Sequence, residues 1–295
     1  MLMNIIRQKA RQTGNFARIV CILEASTEKP GNVTPTYNFI DTNFEDFVVG
    51  SIVIGDAVED AFINGAGRKI ELGKTIYECA KKMKIYNKTN THFGISLLFI
   101  PIAIALGKNN FENLRDGIDD IVKNTNVDDA IYLHKAILLS NARVSDIKGD
   151  KFEKWDVLSK NFIDMVRKEN ITFYDLMKAS SDKDLISREL ITRMEISFKY
   201  ASALYLCKRI LRKDILSLFI SVLSKFPDTL IAKKYGMKTS EDVSKMAADV
   251  LNENLSVGKF THYLREHKIN PGTTADLMAN IVFLYLLERH LSKIK

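Results

Sequence analysis

The stretch LYLCKRILRKDILSLFISVL, residues 204–223, decides the fold class. Its apolar residues Leu204, Ile210, Leu211, Ile215, Leu218, Phe219, Val222 and Leu223 recur at the three- and four-residue spacing of an α-helix,. The same period extends through most of the 295 residues. It predicts helices at 5–25, 43–63, 70–84, 91–106, 111–124, 128–141, 152–169, 172–180, 188–225, 227–236, 239–253, 257–267 and 273–292. Strictly alternating runs and Asn-Gly hairpin signals between them are missing, and Asn64-Gly65-Ala66-Gly67 reads as a helix exit,. The expected architecture is therefore all-α: a single compact multi-helix domain spanning 1–295. Asn141 to Asp150, polar and glycine-containing, reads as a surface loop on that one body,.

Composition narrows the function classes. With 14 Gly and 5 Pro, both below ordinary usage, and 46% hydrophobic residues, collagenous, disordered and turn-rich β architectures fit poorly,. Cys21, Cys79 and Cys207 have no CxxC spacing, which argues against a disulfide framework or a zinc cage,. The longest strongly apolar run, Gly94 to Leu106, is broken by Pro101 and falls short of the ~20 residues a membrane span needs,. The first residues run into Arg7, Lys9 and Arg11 without an apolar leader core, so a cytoplasmic location and no membrane partner are expected,. The net charge of +7 suits anionic ligands,. Lys208, Arg209, Arg212, Lys213 and Lys225 form a basic face without interleaved aromatics or a binding motif, so nucleic acid is not the expected partner,.

In a helical protein the informative segments are those where helices stop for a sequence-specific reason. Three stand out: 24–47, 88–94 and 270–277. Glu24 ends the stripe Ala10, Thr13, Ala17 and Val20, and a carboxylate there needs a cationic or metal partner,. Lys29-Pro30-Gly31-Asn32 is either an ordinary tight turn or a turn that offers backbone N–H groups and an ammonium to phosphate,. Asp41 and Glu45, four apart, with Asp46, suit metal ligation or base chemistry, while Thr42 to Glu45 also fits a capping box,. His92 sits at a helix start rich in capping residues and can be an acid, a ligand or a packing residue,. Thr273 to Asp276 fits a second capping box; on the functional reading Asp276 and Asn280 share a face with Phe283 and Leu287 and point inward,.

Five segments together give a resemblance: EKPGNV at Glu28 to Val33, DTNFEDFVVGS at Asp41 to Ser51, KTNTHFGISLLFIPIA at Lys88 to Ala103, FPDTLIAKKYG at Phe226 to Gly236, and INPGTTADLMANIVFLYLL at Ile269 to Leu287. In this order the chain resembles the triphosphoribosyl-dephospho-CoA synthase family, in its archaeal-type branch, over nearly its whole length. The resemblance implies an enzyme that takes ATP as substrate and moves its triphosphoribosyl group to the 2′-hydroxyl of dephospho-CoA, releasing adenine, with Mg²⁺ expected.

It further implies Asp41 and Asp276 as catalytic carboxylates and Glu24, Asp41, Glu45 and Asp46 as metal ligands. Lys29, Gly31, Asn32, Lys88, Asn90, His92 and Asn280 would bind substrate, with Lys233 or Lys234 beside Asp228 as further phosphate contacts. Bacterial members carry a His where this chain has Phe44, and Ser-Pro-Gly-Gly-Ser where it has Asn270 to Thr274. Those departures bear on the acceptor, so a related transferase acting on another coenzyme precursor is the alternative, and a non-catalytic nucleotide-binding helical protein is the alternative of another class. The long apolar helices suit a homodimer interface as well as a monomer's core.

Overall fold

The computed structural model describes residues 1–87, 91–109, 111–142, 157–204 and 209–291. Among them the chain forms fifteen α-helices and no strand. In order these are α1 (Leu2–Ser26), α2 (Phe44–Ala66), α3 (Leu72–Tyr86), α4 (Phe93–Lys108), α5 (Leu114–Lys123), α6 (Val127–Ser140), α7 (Phe162–Glu169) and α8 (Phe173–Ser180). There follow α9 (Leu185–Ile191), α10 (Glu195–Leu204), α11 (Arg212–Lys225), α12 (Thr229–Tyr235), α13 (Met237–Leu251), α14 (Val257–Glu266) and α15 (Gly272–Leu291).

Two helices form the centre. Every residue of α4 from Ile95 to Leu106 is buried, and α15 is buried from Leu277 to Tyr285. Helices enclosed on all sides lose the polar face of a surface helix, which is why both read as almost continuously apolar. Phe99 and Phe283 stack between them, with ring centroids 4.1 Å apart. The α1–α2 pair packs on this centre, α3 pairs with α6, and α10 and α11 lie against α15. One connected cluster of buried apolar side chains runs from Ala10 to Leu287. No single helix among the described residues is long and apolar enough to cross a membrane.

Two predicted helices are corrected. The segment 188–225 is not one rod but the end of α9, then α10 and α11. Arg193 and Met194 take positive φ (62° and 54°), and the fully buried Glu189 accepts hydrogen bonds from the N–H groups of Ile196 and Ser197, each 2.9 Å. A cap supplied from the preceding helix starts α10 while the apolar spacing continues in phase, so periodicity alone misses the break. Leu211 is extended, and Asp214 Oδ2 accepts its N–H at 2.8 Å to open α11. The helix expected over 152–169 begins at Phe162, after turn-forming residues 157–161; residues 152–156 lie outside the described set.

Candidate functional site

The site is built where helices begin. At the end of α1 the chain turns sharply, and Lys29 folds back beneath the helix. Its ammonium, wholly buried, donates to the Glu24 carboxylate at 3.0 Å, to the Thr27 carbonyl at 3.3 Å and, through a short hydrogen bond, to the Glu24 carbonyl. A buried ammonium is tolerable only when its charge is matched and its protons are accepted, and here both conditions hold. Gly31 then takes φ of 77°, and a Cβ on it would overlap the Ile269 carbonyl and stand 2.9 Å from Pro271 Cδ. Only glycine fits that conformation and that closeness. Asn32 Nδ2 donates to Asn270 Oδ1 at 2.7 Å, so the turn after α1 is clasped to the turn before α15.

Asp228 joins two of the helix starts. Its Oδ1 accepts from the N–H groups of Leu230 and Ile231 in α12, while its Oδ2 accepts from the N–H (2.7 Å) and hydroxyl (2.8 Å) of Thr274 in α15. Thr229 Oγ1 accepts from the N–H of Leu185 and donates to Thr273 Oγ1, which brings the start of α9 to the same place. Asp184 caps α9, with Oδ1 accepting the Ser187 N–H at 2.8 Å, and its Oδ2 pairs with Lys233 of α12. The start of α4 closes the ring: a Cβ on Gly94 would overlap Asp276 Oδ2, so the first turn of α15 lies hard against the first turn of α4.

These starts enclose a cavity of about 250 Å³. Glu24, Asn32, Asp184, Lys233, Asn270, Thr273 and Asp276 give it polar walls, and Phe47, Phe93, Leu133, Ile137, Leu176 and Met177 give it apolar ones. Its charged lining among the described residues is three carboxylates and one ammonium. Asp276 is the outlier: burial, then the neighbouring charges of Glu24, Asp228 and Asp184, hold its carboxyl well above the usual carboxylate range, against a smaller pull from Lys233. Among the described residues no hydrogen bond to it offsets that shift. A carboxylate facing a cavity without a donor is primed to take a proton or meet a cation.

A family description, ATP:dephospho-CoA triphosphoribosyl transferase (CitG), matches residues 10–295. The chain belongs to that family. It is a transferase, and its all-α fold agrees with a crystal structure from Archaeoglobus fulgidus provisionally described as a triphosphoribosyl-dephospho-CoA synthase. That structure is 26% identical, with 79% of this chain and 96% of that one covered and a TM-score of 0.61. No curated protein matches.

In this CitG-family chain the predicted site residues fall in several different places. Glu24, Asn32 and Asp276 line the cavity together, and Lys29 and Gly31 support the wall from behind without lining it. Asp41 and Glu45 are exposed and outside the lining, as is Asp46, which forms the capping box of α2 with Asn43 rather than a metal site. The box therefore stands one residue later than the expected Thr42–Glu45 pair. Asn280 is buried between α15 and α10, donating to Ser197 Oγ at 2.9 Å. His92 lies over Gly50, its Nδ1 2.8 Å from Thr91 Oγ1, and burial pushes its pKa down to about 3, so it is neutral, and it is not part of the cavity lining. Lys88 and Asn90 lie outside the described residues.

No group of three His, Cys, Asp or Glu side chains among the described residues is placed to hold a metal ion. The four-carboxylate ligand set expected from the sequence is thus not assembled: only its Glu24 reaches the cavity. The residue missed by sequence reasoning is Asp184. It lies in 181–187, a short gap between predicted helices, and its signal was an Asp three residues before Ser187, the N-cap spacing,.

Proposed function

We propose that this cavity is where the triphosphoribosyl group of ATP passes to the 2′-hydroxyl of 3′-dephospho-CoA, with release of adenine. The observation that carries the reading is Asp276, a cavity-lining carboxylate with a raised pKa and no hydrogen-bond donor among the described residues, at the meeting of four helix starts. In the transfer the bond from ribose C1′ to adenine N9 breaks as the bond from the acceptor oxygen to C1′ forms. The ribose passes through oxocarbenium character, which a nearby carboxylate stabilises. The acceptor hydroxyl loses a proton to Asp276, and the departing adenine takes one up, so protons balance. A carboxylate whose pKa is raised above the ordinary value is a stronger base for this step. The apolar walls formed by Phe47, Phe93, Leu133, Ile137, Leu176 and Met177 suit the adenine ring and the uncharged arm of the acceptor,.

Magnesium fits this lining in one mode. A cavity with three carboxylates and one ammonium repels a bare triphosphate. Mg²⁺ commonly binds through one or two carboxylates together with substrate phosphates, without a dedicated protein cage. Glu24, whose Oε1 is held by Lys29, keeps Oε2 for that purpose. When bound, the ion would neutralise the phosphate tail. On this reading residues 1–295 act as one domain in the cytoplasm.

Incubation with Mg-ATP and dephospho-CoA should liberate one free adenine for each acceptor consumed. Release of ADP or AMP without adenine would contradict the proposal. Adenine release that ignores dephospho-CoA and responds to another coenzyme precursor would keep the chemistry and replace the acceptor.

A further inference from the structure

Lys233 is the one ammonium among the described residues that line the cavity, and its partner is the Asp184 carboxylate. Both side chains are nearly buried, at 14% and 13% exposure, so the pair is largely withdrawn from water while one side remains open to the cavity. Asp184 divides its oxygens: Oδ1 is committed to the cap of α9, and Oδ2 alone holds the lysine. The cavity's other pair is built differently. Lys29 is fixed by three acceptors behind Glu24 and is not part of the lining. Of the two ammonium groups, only that of Lys233 can transfer to a ligand by giving up a single carboxylate oxygen.

We infer that Lys233 is the phosphate-tail contact of this cavity and that Asp184 is its positioning residue, a counter-ion that holds the ammonium until a triphosphate displaces it. The inference rests on the reading that ATP occupies the cavity. A triphosphate tail carries several negative charges against the carboxylate's one and competes for the ammonium at close range. The Asp184 cap on α9 stays in place during the exchange, so the lysine moves and the helix does not. The pair therefore imposes a specificity cost: a ligand without a polyanionic tail leaves Lys233 on Asp184 and gains nothing from it.

The test is calorimetric binding of inorganic tripolyphosphate and, separately, of adenosine to the full chain in magnesium buffer. In Lys233→Met the tripolyphosphate affinity should fall at least 10-fold while that for adenosine stays within about 2-fold. Lys233→Arg should restore most of the tripolyphosphate binding, which a purely structural role for the lysine does not predict. Asp184→Asn keeps a capping side chain and removes the competitor, so tripolyphosphate should bind several-fold tighter and the KM for ATP should fall more than kcat changes. Unchanged tripolyphosphate affinity in a folded Lys233→Met protein that still binds adenosine would overturn the inference alone. A wild-type chain that binds neither probe would overturn the underlying reading of the cavity.

Discussion

Asp276 and Gly94 occupy the same small space: the carboxylate of one fills the place where any side chain on the other would begin. This contact puts the first turn of α15 against that of α4 and fixes the direction in which Asp276 faces the cavity. The two residues are 182 positions apart in the chain, and each belongs to one of the two buried central helices. Their closeness converts helix packing into the position of a reactive group.

Gly94→Ala should therefore damage activity more than stability. The added methyl collides with Asp276 Oδ2, and the side chain must rotate away because both helix backbones are held by the core. Adenine release should fall by a factor of about 10² or more, as expected when a catalytic group is misplaced by about an ångström. The melting temperature should fall by only a few degrees. A variant with wild-type turnover would show that the orientation of Asp276 is unimportant.

Asp276 should also make the native state less stable as pH rises. Its folded pKa lies above its ordinary value of 3.8, so the native state holds this proton more tightly than the unfolded chain does. The resulting stabilisation is fully present below the unfolded pKa and is lost as pH increases through the raised one. Asp276→Asn removes the titration. The variant should melt at least about 2 °C above wild type near pH 7.5, with the difference shrinking toward zero near pH 3.5. A lower melting point for the variant at both pH values would show that the carboxylate is stabilising.

Removing the ammonium under Glu24 should be costly. Lys29→Met leaves a buried carboxylate with no cation, a defect worth roughly 3–5 kcal/mol. Adding Glu24→Gln to Lys29→Met should recover more than half of that loss in denaturant titrations. Additive single and double variants would mean that the pair has no special coupling.

Much of the fold was legible because helical periodicity is a local signal that the core reinforces. It failed between Glu189 and Ile196, where a buried carboxylate from one helix caps the next while the apolar phase continues. The candidate site was legible in part. Glu24, Asn32 and Asp276 stand where helices end or begin, the places the sequence marks as informative, and these reach the cavity. Asp46 had a local use, as the N3 member of a capping box, and sequence alone placed that box one residue early. Lys29 reads as part of a turn that offers its ammonium to phosphate, because nothing local shows that its side chain folds under α1 to meet Glu24. Asp184 was hidden because its partner, Lys233, is 49 residues away.

The most direct measurement is the rate of adenine release from Mg-ATP and dephospho-CoA by wild type, Asp276→Asn and Asp41→Asn, each confirmed as folded by its thermal transition. Asp276→Asn should lose at least about 10²-fold, and the exposed Asp41→Asn should stay within about 3-fold of wild type. Full activity in Asp276→Asn, or its loss only in Asp41→Asn, would contradict the assignment of the chemistry to this cavity.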